Sequence, residues 1–174
     1  MKTIYLVRHA KSSWKYPDLD DFERPLNKRG RNSLLLIGEI LKNLNVTPDL
    51  IISSPATRAA MTARGIAEAI NYPLDKIEYS DAIYMSDEDV LLDVIKDIND
   101  SVKKAMLIGH NPGMTELANY ITDQRIDNIP TCGVLCVDLN IPSWLKTGRR
   151  SGSVSFSEFP GRLSDCIRQS PGKI

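Results

Sequence analysis

The sequence has little that would commit it to a membrane, a disulfide frame or a polyanion. Its apolar stretches are short or broken: the run after Lys2 spans only Ile4 to Val7 before Arg8, and the stretch from Leu34 to Leu44 is interrupted by Glu39 and Lys42. Neither suffices for a signal peptide or a bilayer span, so no targeting segment and no membrane association are expected. Neither sign of charge is in excess, with Lys+Arg and Asp+Glu both at 22, which leaves no global field to attract nucleic acid. Cys132, Cys136 and Cys166 are odd in number and lack CxxC spacing. That fits reduced thiols in a cytoplasmic protein better than a disulfide scaffold. There is no repeat and no low-complexity run.

What is present is an ordinary globular composition, 42% hydrophobic and 25% charged over 174 residues, enough for one domain with a real core. The domain is expected to span residues 1–168, with residues 169–174 as a tail. Ile4 to Val7 reads as a buried strand. Leu34, Ile37, Leu41 and Leu44 then recur on one helical face. Leu50 to Ile52 is a second strand, and Ser54-Pro55 reads as an N-cap with proline at the first helical position. That helix continues on a face of Ala60, Ala63, Ala67 and Ile70. A short strand is expected at Ile77 to Tyr79, and a helix bearing Leu91, Val94 and Ile98 follows acidic residues that suit its N-terminus. Met106 to Ile108 is a strand, Pro112-Gly113 opens another helix, and Val134 to Leu139 and Val154 to Phe159 read as strands. Cys132 and Cys136 are both expected within a strand as small apolar residues. Such alternation predicts an α/β fold, a mostly parallel central sheet with helices on both faces. The connection from Lys11 to Asn27 is long and polar, carrying Asp18, Asp20 and Asp21, and loops of that length are commonly functional.

Ligands of open parallel sheets bind beyond the carboxyl ends of the strands. Arg8 and His9 follow the first strand, Ser53 and Ser54 the second, with Arg58 in the next helical turn, and Gly109-His110-Asn111 follow the strand ending at Ile108. The chain's only two histidines and two arginines therefore fall on one sheet edge. Arginine offers a fixed fork of donors for phosphate oxygens, helix N-termini add backbone N–H groups, and a neutral imidazole can attack phosphorus to give a covalent intermediate. A zinc site at His9 and His110 is disfavoured, because no HxxxH or CxxC spacing accompanies them; no metal is expected.

These residues resemble a known family. Leu6-Val7-Arg8-His9-Ala10-Lys11-Ser12 is similar to the RHG motif of the histidine phosphatase superfamily, with Ala10 in place of Gly. Ser53-Ser54-Pro55-Ala56-Thr57-Arg58-Ala59 resembles its second motif, and Gly109-His110-Asn111-Pro112-Gly113 its third. Phe22 to Gly30, FERPLNKRG, resembles the SixA-like branch, the phosphohistidine phosphatases. The resemblance implies a phosphoglycerate-mutase-like α/β fold and a metal-independent hydrolase that uses no organic cofactor. It gives His9 as nucleophile and Arg8, Arg58 and His110 as the phosphoryl clamp, and adds Lys15, Arg24 and Asn111 as substrate-binding candidates. Two departures stand out. Trp14 is followed by Lys15 where mutase-like members have asparagine, and no glutamate falls in Ala82 to Met85, where those members carry a proton donor; Asp81, Asp87 and Glu88 are the carboxylates nearest in sequence. The leading expectation is a phosphatase acting on phosphohistidine in a partner protein. A phosphomonoesterase of a small phosphorylated metabolite is second, since an alkoxide leaving group needs an acid. A non-catalytic phosphoprotein-binding module is third, since a binder needs no nucleophile.

Overall fold

The structure, a computed structural model, describes residues 1–161; the expected domain limit at 168, the tail at 169–174 and Cys166 lie outside the described residues. Strands β1 (Lys2–Arg8), β2 (Leu50–Ser53), β3 (Glu78–Tyr79), β4 (Lys104–Gly109), β5 (Val134–Leu139) and β6 (Gly152–Glu158) form one sheet in the order β3-β2-β4-β1-β5-β6. Pairing is parallel from β3 through β2 and β4 to β1, and β5 runs antiparallel to both of its neighbours. The fold is thus α/β with a mostly parallel sheet. Helices α1 (Lys28–Asn43) and α2 (Thr57–Ala69) cover one face, and α3 (Glu88–Lys96) and α4 (Gly113–Ile121) the other.

The two cores follow from the period-2 alternation of the strands. In β1, Tyr5 and Val7 pack with Leu34, Ile37, Leu41, Ala63 and Ile66, whereas Ile4 and Leu6 pack with Leu91, Ile95, Met114, Leu117 and Ile121. A strand buried on both faces reads as a continuous apolar run, which is why β1 and β4 are conspicuous in the sequence.

Local chemistry moves some boundaries. α2 starts at Thr57, two residues beyond Pro55. The reason is that the Ser54 hydroxyl is engaged by His110 Nε2 at 2.8 Å and by the Ala56 N–H at 3.3 Å, and so does not cap the helix. The buried face of α2 is Arg58, Ala59, Thr62, Ala63, Ile66 and Ala67; it includes the expected Ala63 and Ala67, while Ala60 and Ile70 are only half-buried. Of the two cysteines expected in a strand, Cys136 lies in β5, but Cys132 precedes it with φ 62°. Both thiols are buried, and desolvation pushes each up to about 12, far from a reactive thiolate.

The long loop is closed at its base. Asn27 donates from Nδ2 to the Ser12 carbonyl, and its Oδ1 accepts the Gly30 N–H to cap α1. A Cβ at Gly30 would stand 2.1 Å from the Lys11 carbonyl oxygen, so only glycine lets the loop backbone cross the first turn of α1 here.

Candidate active site

Strand register assembles the site. Arg8 pairs with Gly109, and Val7 and Ser53 both pair with Ile108, so three strands end side by side. The main chain laces these ends together: His9 N–H donates to Gly109 O at 3.1 Å, Ser54 N–H to Ile108 O at 3.0 Å, and Arg8 N–H to Gly133 O at 3.1 Å. The rings of His9 and His110 come to 5.0 Å between centroids. A cavity of about 270 Å³ opens here, lined by Arg8, His9, Lys11, Ser12, Trp14, Arg24, Arg58 and Thr131. Two larger grooves lie away from the histidines. One runs along the β2–β3 edge and the other between α1 and α2, and neither is lined by a histidine.

His9 Nδ1 lies 2.8 Å from the carbonyl oxygen of Ala10. A carbonyl only accepts, so Nδ1 carries the proton and Nε2 keeps its lone pair. Burial pushes the His9 pKa down to about 4, partly opposed by the Ala10 hydrogen bond and reinforced by Arg58, Arg8 and Arg24. His110 Nε2 meets Ser54 Oγ at 2.8 Å. That oxygen also accepts from the Ala56 N–H, and with a second lone pair and one proton it can pair with Nε2 of either His110 tautomer. Burial, then the neighbouring His9 and Arg58, pushes His110 down to about 3. Both imidazoles are therefore neutral at pH 7. Arg8 donates from Nη1 to Ile129 O at 2.8 Å and to Asn128 Oδ1 at 3.2 Å. Its Nε and the Nδ1 of His110 are the buried side-chain polar atoms without a partner among the described residues. An unpaired buried polar atom costs about 1–3 kcal/mol, and an oxyanion would satisfy the Arg8 Nε donor.

The other expected site residues sit as follows. Arg24 lines the cavity, but its donors go to Ser13 O, Asp21 Oδ1 and Ser12 Oγ, and its guanidinium lies 3.3 Å from the centroid of the Trp14 ring. Asn111 donates to Asn128 Oδ1 at 2.8 Å and to Ile129 O at 3.1 Å, and accepts from Thr115 Oγ1. It thus braces the same segment that holds Arg8. Lys15 is exposed and does not line the cavity, whose wall carries Lys11 instead. Asp87 caps α3. The carboxylate bonded to Arg58 is Asp21, which no local pattern singles out from its loop neighbours Asp18 and Asp20. Its Oδ2 accepts from Arg58 Nη2 at 2.8 Å and from the Tyr84 hydroxyl at 2.8 Å. Burial alone would raise the Asp21 pKa, but hydrogen bonds from Tyr84, Arg58 and Arg24 outweigh it and bring it down to about 2. Tyr84 stands edge-on to His110, 5.5 Å between centroids. Among the described residues no group of three His, Cys, Asp or Glu is placed to hold a metal ion, and no helix is long and apolar enough to cross a membrane.

The depressed histidines have a measurable consequence. Their ring proton resonances should show no protonation shift as pH falls from about 8 to about 5, whereas a free histidine titrates at about 6.5. A midpoint near 6.5 for either ring would contradict the burial described. Stability follows the same linkage. Above about pH 6.5 both states hold neutral histidines; below it the unfolded chain takes up two protons that the folded chain refuses until about 4 and 3. The melting temperature should therefore fall as pH is lowered through that window.

Two guanidinium groups and two neutral imidazoles stand together at the carboxyl edge of the sheet of an α/β protein, an arrangement chemically suited to phosphoryl transfer. Residues 4–82 match the family model of the histidine phosphatase superfamily (branch 1). An uncharacterised chloroplastic protein of Arabidopsis thaliana is 28% identical over 159 residues, covering 87% of this chain and 72% of that protein. An uncharacterised protein of Mycobacterium tuberculosis is 32% identical over 139 residues, covering 74% and 84%. Among solved structures, the putative phosphohistidine phosphatase SixA from Agrobacterium tumefaciens superposes with a TM-score of 0.78 at 27% identity, over 90% of this chain and 97% of that one. The chain belongs to the histidine phosphatase superfamily, in its SixA-like branch, and is a phosphatase.

Proposed function

We propose that this protein removes phosphate from phosphohistidine in a partner protein, in the cytoplasm and without a metal, through a phosphohistidine formed on His9. The observation that carries this reading is the pair of unpartnered buried nitrogens, Arg8 Nε and His110 Nδ1, beside an imidazole whose Nε2 lone pair is free. In the first step His9 Nε2 bonds to phosphorus as the substrate's P–N bond breaks. Arg8, Arg58 and His110 offer donors to the phosphoryl oxygens. In the second, water attacks phosphorus, the His9 N–P bond breaks, and phosphate leaves with His9 neutral again. Lys11, on the cavity wall, and Lys15, exposed on the same loop, supply positive charge at the approach.

The leaving group argues for a P–N substrate. The site's nearest carboxylate, Asp21, is held ionised by its partners and has no proton to donate at neutral pH. An alkyl ester must expel an alkoxide and needs an acid. A phosphorylated imidazole protonated by solvent on its second nitrogen leaves as a neutral molecule and needs none. We therefore expect kcat/KM to rank phosphohistidine protein first, aryl phosphate next and alkyl phosphate last, all unaffected by EDTA. A sugar phosphate or phosphoglycerate as the best substrate would show that a proton donor operates in this chain and would overturn the assignment in favour of a small-metabolite phosphomonoesterase.

A further inference from the structure

Asp21 draws together parts of the chain that the motifs leave separate. It lies in a 3-10 turn, Asp21–Glu23, within the long loop between β1 and α1. Arg58 in α2 donates from Nη1 to its main-chain oxygen and from Nη2 to its carboxylate. Arg24, from the end of the same loop, donates to Oδ1 at 2.7 Å, and Tyr84, after β3, donates to Oδ2. The Asp21 side chain is nevertheless 44% exposed, so it fills no core position, and its contacts are aimed at cations of the cavity. A guanidinium fixed at both terminal nitrogens has one orientation, and with five N–H donors it retains three for a ligand. The carboxylate also offsets part of the repulsion among Arg8, Arg24 and Arg58, all of which line one cavity.

We propose that Asp21 is a positioning residue. It locks the Arg58 fork in its catalytic orientation, and as an internal counter-charge it keeps phosphate from binding so tightly that turnover stalls. This rests on the reading of the cavity as the phosphoryl site. The role follows from differential binding: only interactions stronger in the transition state raise kcat, while excess charge holds substrate and product alike. Tyr84 extends the lock, since the hydroxyl that donates to Asp21 belongs to a ring packed edge-on against both His110 and Phe22.

The test uses the full chain, an aryl phosphate for turnover and inorganic phosphate as competitive inhibitor. In Asp21→Asn the counter-charge is lost and the shape kept. We expect kcat to fall at least about tenfold, because ångström-scale misplacement of a charge-stabilising group costs up to about a hundredfold. The phosphate Ki should tighten severalfold. In Asp21→Glu the charge is kept on a longer stem, so Ki should return to the wild-type value while kcat stays depressed. A purely structural role would not tighten Ki. A kcat within twofold of wild type, or a Ki for Asp21→Asn that stays the same or rises, would overturn the proposal and leave the phosphatase reading intact. Absence of wild-type turnover on phosphate compounds of any class would sink the phosphatase reading, and the role of Asp21 with it.

Discussion

Replacing His9 by alanine should abolish turnover, by at least about a thousandfold, because a covalent route has no substitute for its nucleophile. The fold should survive. Among the described residues the His9 side chain hydrogen-bonds only its neighbour's carbonyl, and the strand ends are held by main-chain hydrogen bonds that alanine keeps. Circular dichroism matching wild type, with activity gone, is the expected pair of results. Wild-type enzyme quenched at alkaline pH, where phosphoimidazole survives, should carry phosphate on His9 by mass spectrometry. Label on Ser12 or Ser54 instead, or substantial residual activity in the variant, would mean that His9 is not the nucleophile.

Arg58→Lys should cost about a hundredfold or more in kcat/KM although its charge is retained. Arg58 is buried, 4% exposed, and its guanidinium spans from Asp21 to the cavity with a planar set of donors. An ammonium is a compact point charge and cannot both satisfy Asp21 at two oxygens and present a fork to phosphate. Steady-state kinetics with an aryl phosphate measures the loss; near-normal values would show that Arg58 does not contact the transferring group.

Much of the fold was legible because burial writes itself into local patterns. The doubly buried strands β1 and β4 are apolar runs, and α1 shows its face through Leu34, Ile37 and Leu41, whereas Leu44, expected on that face, is the exposed C-cap residue. The placement of Arg8, His9, Arg58 and His110 on one edge followed from strand ends alone. Less legible was anything that depended on a competing hydrogen bond. Ser54 has the residue type and position of an N-cap, yet its hydroxyl serves His110. Arg24 and Asn111 have the donors of phosphate binders, yet three of the five N–H groups of Arg24 go to Ser13 O, Asp21 and Ser12 Oγ, and Asn111 Nδ2 is taken by Asn128 and Ile129 O. Lys15 and Lys11 are indistinguishable as charges, and only the path of the loop sets Lys11 on the cavity wall.

By itself, then, the sequence determined the α/β alternation, the two-sided burial of the sheet and the identity of the four residues gathered at its edge. Each of these depends on residues within one strand or one helical turn. Tertiary structure decided the antiparallel direction of β5, the tautomer of His9, and the arrival of Asp21 and Tyr84 at Arg58 and His110. Asp21 is separated by 37 positions from Arg58 and by 63 from Tyr84. No local pattern encodes such a meeting: it arises only when helices packed on both faces of the sheet fix where the loop must pass, and the buried polar groups there take whatever partner comes within reach.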